Sequence, residues 1–381
     1  MQRCIYIKND RCCKLDCLNG DITIKSVIPI LLMNCIEREK RSPMGHNNGI
    51  DILRIWMSFE VILNHFWNYT PSGNVVLDFF SDFRGLAVPC FMFLSFLLCA
   101  HKLDSPEFVR KDLHKRFVRL AIPIMFWGVV YYVLINAIFV ITGKGHQLTI
   151  YDLGLQLMLG HVYNTPMWFM NVLLALTLTI VVMNQSVRHD YLIWANVCLT
   201  VCSLLFCISG FDYWCFEGMR PAFRYTIGRY FEMLPYVGIA NVLYFCGKRV
   251  SFRHSRWIHI VILSLCCCAG WALSYVDWPD TFGYGSPYQY VMAVPLVLLM
   301  WILPFDHMCV FLRKIGAGIA RYTLGIYCLH IGVGIMCNNL CLHFGLPQDS
   351  FFGCVVIFII SAGISCLMAL FPLRWVKRTV S

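Results

Sequence analysis

The sequence predicts an all-α, polytopic integral membrane protein with about ten transmembrane helices. Three observations carry this. Of 381 residues, 59% are hydrophobic and only 14% charged, with a mean hydropathy of +0.64, a balance that soluble domains of this length do not show. Apolar runs of about 20 residues, enough to cross a hydrocarbon core of about 30 Å, recur along the chain. Lysine and arginine also fall mostly on alternate sides of those runs, as topology requires.

The runs lie at 50–70, 84–101, 120–142, 167–185, 191–210, 228–246, 257–276, 288–304, 317–341 and 351–372. The first carries Asp51, Arg54, Glu60 and His65 in otherwise apolar sequence. The second contains Val88-Pro89-Cys90-Phe91-Met92-Phe93-Leu94-Ser95. The third is entered through Lys115-Arg116-Phe117-Val118-Arg119, with Pro123 just inside it, and the fourth through Thr165-Pro166-Met167-Trp168-Phe169-Met170-Asn171. The seventh holds Cys266, Cys267 and Cys268, and the ninth carries Tyr322 to His330. Proline and glycine inside such spans are tolerated where neighbouring helices satisfy the freed backbone groups.

With a cytoplasmic N-terminus, the inner loops and C-terminus carry seventeen lysines and arginines, Lys102 to Arg378. The outer side carries five: Arg84, Lys144, Arg220, Arg224 and Arg229. The positive-inside rule selects this orientation, with both termini cytoplasmic and the plasma (inner) membrane as the expected location. It also accounts for the net charge of +10 without nucleic acid, since no basic patch is interleaved with aromatics in the manner of nucleic-acid binders.

The 21 cysteines do not form a disulfide pattern. Most sit inside apolar spans, where a thiol behaves as a small hydrophobe, and Cys215 is alone in the outer loops. Residues 1–46 carry Cys4, Cys12, Cys13, Cys17 and Cys35 at spacings that match no zinc site, so no metal is expected. The apolar stretch Val27 to Cys35 is too short to span a membrane and lacks the layout of a signal peptide. Residues 1–46 are therefore expected to be a disordered tail or a mis-assigned start, with translation from Met33 or Met44, and 47–381 the membrane domain.

Arg54 and His65 are eleven residues apart. At about 100° per residue they return to within roughly 20° of one face, separated by about 16 Å along the axis. Ionisable residues inside a membrane helix are costly and by default mark function. Asp51, one turn before Arg54, can fix its guanidinium, whereas Glu60 points about 120° away. Arg116 and Arg119 lie one above the other at a helix start, a geometry suited to clamping phosphate, or to anchoring the helix at the interface. Thr323, Tyr327 and His330 form one polar stripe, able to line a cavity or to bond between helices. Trp168 fits either an interfacial belt or an aromatic platform for a sugar.

Taken together, the chain resembles the membrane-bound acyltransferase 3 family from about residue 47 onward. The matching features are the arginine and histidine separated by ten residues (Arg54, His65), the Arg-x-x-Arg pair (Arg116, Arg119) followed by Pro123, the Val88 to Ser95 segment, Trp168-Phe169, and Thr323 to His330, all in the family's order. Two positions depart from the pattern: Phe96 follows Ser95 where a glycine is usual, and Glu60 stands where an aliphatic residue is expected. The chain resembles the short form, without the hydrolase-like domain that follows the tenth helix in some relatives.

The resemblance implies transfer of an acyl group, usually acetyl, from acyl-CoA to a carbohydrate hydroxyl. Arg116 and Arg119 are then expected to bind the donor's phosphates and Arg54 to position the donor. His65 is expected to act as general base, or as an acyl-histidine in a covalent variant. Trp168, Tyr327 and His330 are expected at the acceptor or the developing oxyanion. The rival expectation is a transporter or flippase for a glycan or small molecule, since intramembrane His, Arg and Glu also serve proton-coupled carriers. No pair of broken segments in matching halves marks inverted repeats. The acceptor, the acyl length and the oligomeric state are not specified by the sequence.

Overall fold

The computed structural model describes residues 47–371 and 374–380, apart from 69–73, 104–105, 144, 161, 164, 210–220, 250–255, 277–279 and 346–349. The expected tail, Lys144, Cys215 and Arg220 lie outside the described residues. Fourteen α-helices and four short 3-10 turns make up the described chain, with no strand among them. They are α1 (Asn48–Phe66), α2 (Val75–Asp82), α3 (Ala87–Leu103), α4 (Pro106–Thr142), α5 (Ile150–Leu159), α6 (Trp168–Ser186), α7 (Leu192–Ile208), α8 (Pro221–Arg249), α9 (Arg256–Ser274), α10 (Pro287–Ile302), α11 (Val310–Ala320), α12 (Thr323–His343), α13 (Phe351–Leu370) and α14 (Arg374–Val380).

Among the described residues, five helical segments are long and apolar enough to cross a membrane: Leu113–Thr142, Trp168–Ser186, Trp257–Ser274, Thr323–His343 and Phe351–Leu370. A sixth is added if α2 and α3, bent by 54° at their break, count as one span. Among the described residues, length and apolarity thus support five or six candidate spans, and the expected count of about ten is not reached. The remainder fall short for identifiable reasons. The helix α1 carries Asp51, Arg54 and Glu60, α8 carries Arg224, Arg229 and Glu232, and α7 and α10 have only 17 and 16 residues.

One expected span gains a bent partner helix before it, and another divides. The run at 84–101 belongs to a broken pair, turned at Gly85 with a φ of 90°. The run at 317–341 splits at Arg321 and Tyr322 into α11 and α12. The third helix begins well before 120, and its 37 residues reach about 55 Å, beyond the hydrocarbon thickness.

At the centre stands α1, which packs on α3, α10, α11, α12 and α13. Its Leu53, Met57, Ile62 and Leu63 are buried. The start of α1 fits against α10 because residue 49 is glycine: a Cβ there would collide with the Met300 carbonyl. Asn47 caps the helix, accepting from the Ile50 amide, and donates to the Trp301 carbonyl at 3.0 Å. Large apolar side chains lie exposed on α4 (Val133, Ile138), α9 (Val261, Leu265) and α13 (Phe352, Ile359). A periphery of that kind is stable against lipid and not against water.

Candidate functional site

Two cavities flank Tyr327, which lines both. The larger, about 1210 Å³, lies between α1, α3, α4, α6, α12 and α14. Its polar wall carries Arg54, Lys115, Arg116, Arg119, Arg321 and Arg378, and among the described residues Asp51 is the one carboxylate facing them. Apolar side chains, among them Phe91, Leu94, Leu98, Phe169 and Leu173, complete it. The smaller, about 180 Å³, is walled by Asn64, His65, Trp168, Tyr225, Tyr284 and Tyr327, with Glu60, Gly85 and Ala87 at one side.

The helical periodicity of α1 sets this division. Arg54 and His65 share a face, but the rise between them places Arg54 in the cationic cavity and His65 in the aromatic one. Asp51 reaches Arg54 at 3.9 Å, as the one-turn spacing predicts. The polar stripe of α12 runs alongside. Thr323 lines the cationic cavity, Tyr327 both, and His330 lies behind His65 with ring centroids 5.4 Å apart. His330 is fully buried and lines neither cavity. The Tyr327 hydroxyl donates to the Pro166 carbonyl, and its ring stands 5.5 Å from that of Phe169.

Arg116 is held as well as exposed to the cavity. Its guanidinium donates to Ser95 Oγ at 3.1 Å, to Thr177 Oγ1 at 3.1 Å and to Cys99 Sγ, and sits 5.4 Å over the Phe96 ring. The departure at residue 96 thereby gains a physical reason: the Phe96 side chain is wholly buried and supplies a face for the cation. Arg119, one turn on, is exposed to the cavity. Lys115, Arg321 and Arg378 join it from three elements. Topology alone explained those three in the sequence, because nothing local indicates that basic residues near 115, 321 and 378 meet.

Glu60 has a clear structural role. Its carboxylate accepts the Gly85 amide through Oε1 and the Ala87 amide through Oε2 at 3.0 Å. It therefore occupies the buried N-terminus of α3 at the break, where amide hydrogens and the helix dipole both favour an anion. Gly85 is required here by its positive φ. Arg84 completes the turn, donating to the Trp67 carbonyl at 3.1 Å and to Ser81 Oγ at 3.1 Å. The wall of the small cavity next to His65 is thus fixed by Glu60.

Trp168 belongs to an aromatic group rather than to an interfacial belt. It lies 5.6 Å from Tyr284 and 6.1 Å from Tyr225, and Arg229 sits over all three rings. Glu232 pairs with Arg229 at 2.5 Å and accepts the Tyr284 amide at 3.1 Å. Burial raises the Tyr284 phenol above its ordinary value, against the pull of Arg229, so it remains a neutral hydroxyl.

The profile of the acyltransferase 3 family, described as an acyltransferase domain, matches residues 47–370. The chain belongs to this family. It is accordingly a membrane acyltransferase. Comparison with characterised proteins and with solved structures gives no significant match. Within the family match, the arginine–histidine pair and the Arg-x-x-Arg pair occupy the two cavities described, joined through Tyr327. Arg378, by contrast, lies past the matched segment.

Proposed function

We propose that this acyltransferase moves an acyl group, most simply acetyl, from acyl-CoA to a hydroxyl of a cell-surface carbohydrate or its lipid-linked precursor. The observation that carries the reading is the pair of cavities meeting at Tyr327, one polycationic and large, the other aromatic and small. Five arginines and a lysine suit the phosphates of a CoA donor. The apolar remainder of that cavity suits a pantetheine arm, directed toward His65 over the roughly 16 Å between the two α1 residues. With both termini cytoplasmic in the plasma membrane, this cavity takes its donor from the cytosol.

An aromatic wall beside a histidine suits the apolar face of a sugar ring and its hydroxyl. At about 180 Å³, the second cavity is smaller than ordinary ligand pockets. It admits the reacting end of the acceptor, and the rest of the glycan stays outside. His65 takes the proton of the acceptor hydroxyl as its oxygen bonds to the thioester carbon. The carbon–sulfur bond then breaks, and the departing sulfur recovers the proton from His65, leaving an ester and free CoA.

The experiment compares membranes carrying wild type or His65→Ala at matched expression. Labelled acetyl-CoA is supplied with an extract of surface-glycan precursors, and label is followed into carbohydrate. Wild-type transfer that disappears in the variant is the expected result. Equal transfer by both removes His65 as base. Transfer from other acyl-CoA donors but not acetyl-CoA corrects the acyl group.

A further inference from the structure

We propose that Arg378, on α14, is an anion-binding residue of the donor cavity and, with Arg321, holds a phosphate group of the nucleotide donor. The proposal rests on the acyl-CoA reading given above. It adds a residue that lies outside the segment the family profile matches.

The placement of α14 is specific. Val376, Thr379 and Val380 are buried, an i, i+3, i+4 set that fixes one face of the short helix inward. Trp127 Nε1 donates to the Thr379 carbonyl at 3.1 Å. On the α12 side, residue 325 is glycine, and a Cβ there would stand 2.8 Å from Val380 Cβ and 2.5 Å from Ser365 Oγ. The helix is therefore seated against α4, α12 and α13. With that face inward, Lys377 and Arg378 are exposed, and Arg378 lines the donor cavity.

Among the described residues, cations outnumber carboxylates on the cavity wall six to one. Asp51 is the only carboxylate among the described residues that lines the cavity, and it faces Arg54. Arg321 and Arg378, both exposed, form no ion pair among the described residues. Clustered like charges repel one another and raise the local potential, and a polyanionic ligand offsets both effects. Arg116 is already committed to three side chains, which leaves the freer guanidiniums of Arg321 and Arg378 to follow a phosphate. A CoA donor carries a diphosphate and a separate ribose phosphate, so cations on several elements can be used at once. The same chemistry exists in an anionic lipid headgroup, and the experiment separates the two sources.

Full-length wild type, Arg378→Ala, Arg378→Gln and Arg188→Ala are purified in uncharged detergent and titrated with CoA. The expected result is wild-type binding that weakens by about tenfold or more in both Arg378 variants, the effect of losing one charge-assisted hydrogen bond, with Arg188→Ala unchanged. Arg378→Gln keeps length and polarity and serves if the alanine variant does not fold. Wild-type affinity in the Arg378 variants overturns the proposal. Loss of binding to phosphatidylglycerol vesicles with CoA affinity retained also overturns it, making Arg378 a lipid anchor. Failure of wild type itself to bind CoA sinks the donor assignment on which the proposal rests, a distinct outcome.

Discussion

His330 stands behind His65 with ring centroids 5.4 Å apart, and its Nδ1 lies 2.6 Å from the Tyr327 carbonyl oxygen. A carbonyl oxygen only accepts, so Nδ1 carries the proton, and in the neutral ring Nε2 is a bare acceptor. That Nε2 has no hydrogen-bond partner among the described residues. His330 thus packs against His65 from the protein side.

Replacing His330 by Phe keeps a ring against His65 and removes the nitrogens. The buried Tyr327 carbonyl then loses its His330 donor, at a cost of about 1–3 kcal/mol, and the turnover number is expected to fall several-fold as the wall behind His65 shifts, with both Michaelis constants near wild type. His330→Ala also opens a void and is expected to cost roughly 2–4 kcal/mol of stability, seen as a lower thermal midpoint. A wild-type turnover number in His330→Phe would assign His330 to packing alone.

Glu60 holds the break between α2 and α3 through the amides of Gly85 and Ala87. In Glu60→Gln, the side-chain NH2 meets one of those amides, leaving a buried donor unpaired at a cost of about 1–3 kcal/mol. Because this turn walls only the small cavity, the acceptor's Michaelis constant should rise several-fold while the donor's stays constant. Steady-state kinetics with each substrate varied in turn decides the matter. An equal rise for both substrates would mean that the turn supports the whole bundle.

Arg116 spans three acceptors and the Phe96 ring. Lysine presents its donors from one point and cannot reach the same set. Arg116→Lys is therefore expected to lower the thermal midpoint and to raise the donor's Michaelis constant. Phe96→Leu removes the aromatic face, and a smaller loss of roughly 0.5–2 kcal/mol is expected. A neutral Phe96→Leu would show that Phe96 acts only as filler.

Among the described residues, six lysines and arginines line the large cavity and none lines the small one. Salt shortens the range of charge interactions from about 10 Å at 0.1 M to about 3 Å at 1 M. The donor's Michaelis constant should accordingly climb with ionic strength while the acceptor's changes little. Parallel kinetics in sodium chloride series test this, and a flat donor response counts against recognition through phosphate.

The acyltransferase family was legible in the sequence because its marks are local. The spacing of Arg54 and His65, the Arg116–Arg119 pair and the α12 stripe each depend on helical periodicity, which short stretches of chain specify. The ion pair of Asp51 with Arg54 was legible for the same reason. The number of crossings was less so. Hydropathy does not distinguish a continuous span from one broken at Gly85 or divided at Arg321, where backbone turns and not composition end the helix.

By itself, the sequence determined an all-helical membrane acyltransferase and the face of α1 on which its ionisable residues stand. Tertiary structure alone decided that Glu60 caps α3, that Phe96 carries Arg116, and that Lys115, Arg321 and Arg378 share one cavity. Those relationships join residues that are from 20 to more than 250 positions apart. Helical period acts over a few turns, whereas contacts at such separations arise only from how the helices cross and pack.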